Sequence, residues 1–270
     1  MLKALDDLLR AEIDPAFALR ARFIFEEVEK TKPKKVLDAG CGRGFYVNSL
    51  SYYDFIKEIH GIDLNSTYLA IAKNNIIGNK RIFLKQSSIY TLPYPDNYFD
   101  FIICSEVIEH VDDKKAISEI YRVLKKGGKL IITVPNINFP FLWDPLNWLL
   151  MKIFNTHINK NIWWLAGIWA DHERLYTENQ IKKIVAATGF KIQHTEKVLY
   201  HCWAFSHFLL YGIGKNLVER FGLNSFNRFN ITKKSILKKI LSTIFMLPSL
   251  FLDRIFKSNP SVNIVLTVIK

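Results

Sequence analysis

The sequence predicts an α/β fold in which helices cover both faces of a mostly parallel sheet. Three observations support this class. The apolar segment Lys35–Asp38 runs into a glycine-rich turn, and a second apolar segment, Glu58–Asp63, also ends in an acid. Strand-like and helix-like segments then alternate as far as Val134. Such alternation is typical of a doubly wound sheet.

The first strand leads into the turn K-V-L-D-A-G-C-G-R-G, which ends at Gly44. Glycine tolerates positive φ and lets a ligand approach the backbone. A helix that begins near Arg43 would direct its free N–H groups at that ligand. Phe45 occupies the position of the third glycine of a dinucleotide-binding turn, so the spacing departs from that motif. An ordinary tight βα turn is the alternative interpretation.

Four predicted strands end in polar residues that suit a nucleoside. Asp63 follows the glycine turn by about 20 residues, a distance at which a carboxylate accepts hydrogen bonds from ribose hydroxyls. The strands Arg81–Gln86 and Phe99–Cys104 lead into Ser87-Ser88-Ile89 and Ser105-Glu106. Because parallel strands end at one edge of a sheet, these residues predict a nucleoside-binding crevice.

Helix signals and the remaining strands complete the predicted α/β pattern. Capping residues and apolar spacing define the helices, and β-branched apolar runs define the strands. The predicted helices are Phe45–Tyr53, Ser66–Ile77, Lys114–Lys126 and Thr177–Thr188, and the later strands are Lys129–Val134, Phe190–Leu199 and Val262–Ile269.

Three further segments decorate this pattern within what we predict to be one domain over residues 1–270. Residues 1–32 predict two helices that separate at Pro15, and they form either a lid over the crevice or a layer on the sheet. Residues 136–170 contain five of the six tryptophans and predict the substrate side of the crevice. The third segment is residues 200–260, and residues 196–260 contain ten Lys/Arg against three Asp/Glu. Their apolar helical pattern predicts either a membrane-interface helix or a helix packed on the protein.

Composition narrows the class of protein. The chain has 270 residues, a net charge of +12 and 49% hydrophobic residues, enough for a large core. Cys41, Cys104 and Cys202 are too far apart for a metal or disulfide pattern, which predicts a reducing, cytoplasmic location. The N-terminus is amphipathic, unlike a signal peptide, and no run reaches the roughly 18 apolar residues of a membrane span.

Four motifs in order carry a family resemblance: V-L-D-A-G-C-G-R-G, G-I-D-L-N, L-P-Y-P-D-N-Y-F-D-F-I-I-C-S-E-V-I-E-H-V and R-V-L-K-K-G-G-K-L-I-I-T-V-P-N. They resemble the class I S-adenosylmethionine (SAM) dependent methyltransferases. They are most similar to the small-molecule branch that includes the ubiquinone-biosynthesis O-methyltransferases. The resemblance covers about residues 30–195 and the last ten. It implies a Rossmann-like, seven-stranded sheet whose last strand is antiparallel between strands five and six.

The resemblance also implies SAM as the cofactor and a set of residues that bind it. Asp38 and the glycines line the methionine part, Asp63 holds the ribose, and Leu64 packs on the adenine. Many relatives have an aspartate at position 87 or 88, where this chain has serine, so Ser88 or the backbone replaces that contact. The implied cofactor residues are Asp38, Gly40, Cys41, Gly42, Asp63, Leu64, Ser88, Ile89, Ser105 and Glu106.

Glu106, Glu109 and His110 stand at i, i+3 and i+4, which would place them on one helical face. His110 oriented by Glu109 could act as a general base, and His172 matches a histidine near the active site of related enzymes. The predicted catalytic set is therefore His110, Glu109 and His172, with no metal. A divalent ion bound to the same residues and purely structural roles are the alternatives.

The predicted function is methyl transfer from SAM to a small or lipid-like acceptor, at oxygen. An RNA or protein methyltransferase that uses the basic segment is one alternative. Nucleic acid is not the expected partner, because the basic residues alternate with aliphatic ones and no RNA-binding module is present. The other alternative is an inactive SAM-binding module that docks a partner or membrane. Peripheral contact with a membrane is expected from residues 200–260.

Overall fold

The computed structural model describes residues 1–76, 78–162, 164–170, 172–215, 236–256 and 260–270. These residues form two compact units. The sheet unit comprises Phe23–Val134, Glu178–Glu196 and Val265–Lys270. The aromatic unit comprises Met1–Arg22, Pro135–Thr177 and Lys197–Ile264. The domain boundaries given above stay predictions.

One seven-stranded sheet, in the order β3-β2-β1-β4-β5-β7-β6, runs through the described part of the chain. The first five strands pair in parallel. The last strand is antiparallel to β5, since Gly127 N–H donates to Lys270 O at 2.9 Å and Lys270 N–H donates to Gly128 O at 3.2 Å. The predicted fold class and the position of the last strand are therefore confirmed. The strands are β1 Lys35–Ala39, β2 Glu58–Asp63, β3 Ile82–Gln86, β4 Phe99–Ser105, β5 Leu124–Pro135, β6 Lys191–Val198 and β7 Asn263–Ile269.

Helices connect these strands, and short polar side chains begin several of them. Asn65 Oδ1 accepts the backbone N–H of Thr67 at 2.9 Å, and Asp14 Oδ1 accepts that of Ala16 at 3.0 Å. Such caps satisfy N–H groups that the first helical turn leaves unpaired. The helices are α1 Lys3–Arg10, α2 Pro15–Thr31, α3 Phe45–Leu50, α4 Ser66–Asn75, α5 Asp113–Val123, α6 Pro145–Phe154, α7 Glu178–Ala187 and α8 Ile236–Ile255.

Three helices end earlier than predicted. α3 ends at Leu50 and α4 at Asn75, and Ile77 lies outside the described residues. α5 ends at Val123 instead of Lys126, because Leu124 already pairs with Phe99 of β4. Gly127 and Gly128, which follow the predicted end of this helix, both lie inside β5.

The aromatic unit has its own hydrophobic core. Asp144 organises it, since its carboxylate accepts hydrogen bonds from the Asn147 side chain at 2.8 Å and from Ile168 N–H at 2.9 Å. Of the tryptophan-rich segment, Trp143 is buried in this core and Trp164 is half exposed, and Trp163 lies outside the described residues. The buried members of this core are Ala16, Phe139, Trp143, Ile168, Leu175, Leu199, Cys202 and Val262.

α8 is the longest helix of the aromatic unit among the described residues. It begins at Ile236, so Lys233 and Lys234 of the predicted basic face lie outside the described part of the chain. Within the described residues, no helix combines the length and the hydropathy needed to cross a membrane.

Candidate active site

Asp38 lies at the end of β1 in the middle of the sheet, beside Gly61 of β2. Its side chain is fully buried, and its Oδ2 has no hydrogen-bond partner among the described residues. Burial raises the pKa of Asp38 to about 8, and the negative charge of Asp63 raises it further in the same direction. A buried carboxyl in this state favours a neighbouring cation, because a positive charge restores the stability of its ionised form.

The glycine loop that follows Asp38 folds back onto β2. The backbone N–H groups of Gly40 and Cys41 both donate to Ile62 O, at 2.9 and 2.8 Å. Gly40 adopts φ +86°, and a Cβ at this position would lie 2.4 Å from Val107 Cγ2. No larger residue fits there without displacing Val107.

Gly42 differs from its neighbour in its surroundings. It also adopts positive φ, +50°, but a Cβ there would meet nothing within 4 Å. Its N–H donates to Asp63 Oδ2 at 2.8 Å, while Asn65 N–H donates to Asp63 Oδ1 at 2.8 Å. Asp63 therefore ties the loop after β1 to the end of β2, and each of its oxygens retains a lone pair for a further donor.

The third glycine has a packing role. Gly44 adopts φ +84°, and a Cβ there would lie 2.9 Å from the Cβ of Ala72. It therefore lets the start of α3 approach α4 closely. This explains why the loop needs three glycines even though Phe45 replaces the last glycine of the dinucleotide motif.

The predicted adenine residues lie at the ends of β2 and β3. Leu64 is 70% exposed, whereas Ile89 is buried. Ser87 N–H donates to Asp63 O at 3.1 Å, and Ser88 Oγ accepts the N–H of Tyr90 at 3.2 Å. The Ser88 oxygen thus keeps a second lone pair for a further donor, which is one way in which serine can replace the acceptor oxygen of an aspartate.

A row of hydroxyl groups follows β4. Thr133 Oγ1 donates to Glu106 Oε1 at 2.7 Å and lies 2.9 Å from Ser105 Oγ. Because the single hydroxyl proton of Thr133 is used on Glu106, Ser105 donates to Thr133. Tyr46 OH, at 3.5 Å, can then donate to Ser105. Tyr46 and Thr133 are absent from the predicted site, because tertiary packing brings them to Ser105: Thr133 through the pairing of β4 with β5, and Tyr46 from α3.

Glu106, Glu109 and His110 do not share a helical face. Glu106 adopts φ +56°, and the residues after it form only a short 3₁₀ helix, Ile108–His110. The prediction of an α-helical face is wrong because this left-handed residue turns the chain before a helix can begin. Glu109 is fully buried and His110 is exposed, with His110 Nε2 3.8 Å from Glu109 Oε1. That separation is longer than a hydrogen bond.

His172 belongs to the aromatic unit, so its relation to His110 stays a prediction. Its Nδ1 lies 2.6 Å from Ile168 O, which makes Nδ1 the protonated nitrogen of the neutral ring. His207 of the same unit is buried and stacks on Tyr211 with ring centroids 4.8 Å apart. Burial lowers the pKa of His207 to about 3, and the nearby His172 contributes in the same direction. His207 therefore stays neutral, in keeping with a structural role.

The comparison with known families shows which protein family these residues match. Residues 37–132, which include the glycine loop, Asp63 and His110, match the family described as a methyltransferase domain. Residues 37–132 therefore carry a methyltransferase domain, as the resemblance to the class I SAM-dependent methyltransferases predicts. The predicted family is confirmed, and SAM is the cofactor of that family.

The names of individual relatives give different acceptors for the methyl group. Phosphoethanolamine N-methyltransferase 2 of Caenorhabditis elegans is 38% identical over 166 residues, which cover 60% of this chain and 34% of the relative. Ubiquinone biosynthesis O-methyltransferase of Coxiella burnetii (strain Dugway 5J108-111) is 32% identical over 123 residues, 45% of this chain and 51% of the relative.

Solved structures agree with the fold. Phosphoethanolamine N-methyltransferase 2 of Haemonchus contortus, solved in complex with SAM, superposes with a TM-score of 0.56 at 19% identity and covers 92% of this chain and 52% of that one. At that identity the match concerns the fold alone. The chain spans about a third to a half of the length of the curated relatives it matches.

Proposed function

We propose that this methyltransferase transfers the methyl group of SAM to an oxygen atom of a small or lipid-like acceptor. The arrangement of Asp38, Gly42 and Asp63 at the ends of β1 and β2 carries the proposal. It joins a buried carboxyl with a raised pKa, a loop position with open space beside it, and a carboxylate held by two backbone N–H groups.

These features fit a sulfonium nucleoside that also has an amino-acid end. Asp38 accepts a hydrogen bond from the ammonium group, and the open space beside Gly42 receives the methionine chain. Asp63 accepts from the ribose hydroxyls on the lone pairs that Gly42 and Asn65 leave unused. Leu64, whose side chain is largely exposed before the cofactor binds, packs on the adenine.

SAM supplies an electrophilic methyl group when it is bound. What remains for the chain is to align the acceptor and to remove its proton, and proximity alone can account for much of the rate. Ser105 and Glu106, held by Thr133, form the wall of the site at the end of β4. His110 takes the proton of an acceptor hydroxyl on an imidazole nitrogen, and the buried Glu109 favours the resulting cation. His172 is the second candidate for this base.

An amine acceptor is a second candidate, and a specific observation favours it. The C. elegans relative, a phosphoethanolamine N-methyltransferase by name, matches a larger share of this chain than the Coxiella O-methyltransferase does. We favour oxygen because the motif series resembles the quinone O-methyltransferases, one of which is among the relatives. An apolar, tryptophan-rich insertion also suits an acceptor with a hydrophobic tail. An amine acceptor is protonated at neutral pH and must lose a proton before its nitrogen can attack, so it needs a base as a hydroxyl does.

Labelled SAM distinguishes these acceptors. The protein is incubated with methyl-labelled SAM and with separated lipid and aqueous fractions of a cell extract, and the labelled product is hydrolysed and analysed for O-methyl and N-methyl groups. We expect label in the lipid fraction as an acid-stable methyl ether. Label in an N-methylated aqueous product would move the assignment to the amine. Label in RNA or protein would support the alternative that uses the basic segment.

SAM binding is measured separately by calorimetry. Binding without product from any fraction would identify an inactive SAM-binding module, and no binding at millimolar SAM would remove the proposal altogether.

A further inference from the structure

α8 exposes most of its large apolar side chains fully or in part, and three of the four side chains that it buries are polar. Ile236, Phe251 and Ile255 are 79%, 65% and 69% exposed, and other large apolar residues on the helix are also exposed. The side chains that the helix buries are Lys238, Ser242, Pro248 and Ser249. A helix packed on a soluble core shows the opposite arrangement, with its apolar stripe inward.

Specific polar contacts hold the helix in this orientation. Ser242 Oγ donates to Arg10 O at 2.7 Å, and Trp203 Nε1 donates to Ile244 O at 2.7 Å. Near the other end, the Asp253 carboxylate accepts from His201 N–H at 2.9 Å. Ser242 is buried and Asp253 half-buried, so the side of α8 that carries them packs on the rest of the aromatic unit, and the exposed apolar side chains lie on the remaining surface of the helix.

The exposed charges on α8 have one sign. Lys239 and Arg254 are exposed, whereas Asp253, the only acid of the helix, is half-buried and directed at His201. Exposed apolar residues are also concentrated in this unit. It carries 22 of the 28 exposed large hydrophobic side chains among the described residues, including Phe154 of α6 and Trp203.

We propose that the outward face of α8 binds the surface of an anionic lipid bilayer, with the helix lying in the interface. A helix with an apolar face and cations beside it has the composition of an interfacial helix, and its cations complement anionic headgroups. Four charged residues in 20 explain why the same helix lies on a bilayer and does not cross it. The inference rests on the proposed function in one respect. Binding to the bilayer serves methyl transfer if the acceptor is a lipid-like molecule dissolved in the membrane.

Vesicle sedimentation of the full chain tests the surface directly. Wild-type protein is mixed with phosphatidylcholine vesicles that either contain or lack the anionic lipid phosphatidylglycerol. We expect binding to the anionic vesicles and at least a tenfold loss in the variant Ile240→Ser/Phe251→Ser. A matched control, Tyr52→Ser/Ile192→Ser, removes exposed apolar residues from the sheet unit and leaves binding unchanged. The variant Lys239→Gln/Arg254→Gln weakens binding by about fivefold per charge, and only on anionic vesicles.

Two results would overturn the inference. Equal sedimentation of wild type and Ile240→Ser/Phe251→Ser with anionic vesicles would show that α8 is not the docking element. The second result has three parts: the wild type stays in the supernatant, it is dimeric by analytical ultracentrifugation, and the Ile240→Ser/Phe251→Ser variant is monomeric. Together they would assign the face to a second copy of this chain. SAM calorimetry on each variant is independent of these outcomes, so failure of the methyltransferase proposal is recognised separately.

Discussion

The backbone N–H of Gly42 donates to the Asp63 carboxylate across 2.8 Å, and this bond closes the loop of one strand onto the end of the next. The same carboxylate accepts Asn65 N–H at the start of α4, so it organises both sides of the cofactor site before any ligand arrives. Asp63 is thus a structural residue and, by our proposal, a binding residue.

Asp63→Asn should weaken both functions. An amide presents one oxygen where the carboxylate presents two, so one backbone N–H and one ribose hydroxyl lose a charged acceptor. We expect SAM binding to weaken by at least tenfold and the free energy of unfolding to fall by about 1–3 kcal/mol. Calorimetry and urea denaturation measure the two effects. Unchanged SAM affinity in a folded variant would exclude Asp63 from the ribose site.

Asp38→Asn should separate stability from binding. Burial raises the pKa of Asp38 to about 8 in the folded chain, well above the value of an exposed aspartate. From about pH 4 to pH 8 the folded state therefore holds more of this proton than the unfolded state, and this group lowers stability as the pH rises. We expect Asp38→Asn to be more stable than wild type at pH 8, with no advantage at pH 4, and to lose SAM binding.

Thermal denaturation of Asp38→Asn and wild type across this pH range provides the check. A variant less stable than wild type at pH 8 would mean that the Asp38 carboxylate is already stabilised by a partner in the free protein.

SAM binding should itself depend on pH. If Asp38 accepts the ammonium of the cofactor, it must be ionised in the complex, although the free protein holds it protonated below about pH 8. Binding should then release a proton near pH 7 and strengthen as the pH rises toward 8. Calorimetry in two buffers of different ionisation enthalpy measures the released proton. Identical apparent enthalpies would argue against Asp38 as the ammonium partner, and Asp38→Asn is the matched control.

The positions of several candidate site residues could be predicted from the sequence because local rules determine them. Asp38 and Asp63 lie at strand ends and Gly42 in the loop between, as the sequence predicts, while their part in binding SAM stays a prediction. The 3₁₀ helix at Ile108–His110 could not be predicted in this way. It depends on the left-handed conformation of Glu106, which Thr133 of a different strand holds in place.

The two remaining differences have the same origin in tertiary contacts. Helical spacing predicts that α5 continues to Lys126, but the pairing of Leu124 with Phe99 converts those residues to strand. Apolar spacing in α8 also predicts that the helix has an apolar face, but it does not predict whether that face packs on the protein or is exposed. Ser242 and Asp253 determine the direction through bonds to residues far along the chain, Arg10 and His201.

Gly40→Ala should be more damaging than Gly42→Ala. Both residues have positive φ, so both substitutions carry the backbone strain of about 1–2 kcal/mol. Only the Gly40 variant adds a clash, because its Cβ would lie 2.4 Å from Val107 Cγ2, whereas space is open beside Gly42. We expect a larger loss of unfolding free energy for Gly40→Ala and partial rescue by Val107→Ala. Equal losses for the two glycine variants would show that the loop relaxes away from Val107.

The hydroxyl row after β4 gives the last prediction. Thr133 donates to Glu106 and accepts from Ser105, so Thr133→Val removes both bonds while it preserves the shape of the side chain. Glu106 then loses a neutral hydrogen-bond donor, and its left-handed backbone conformation loses a restraint. Both changes should displace Ser105 and Glu106, the proposed wall of the site beside the transferred methyl group. We expect kcat to fall by at least tenfold with SAM affinity changed little, because Asp38 and Asp63 are untouched.

Thr133→Ser keeps the hydroxyl and should retain most of the activity. If the valine variant were as active as the serine variant, the row would only fill space, and the position of Glu106 would be set by its backbone bond to Thr133 O at 3.0 Å.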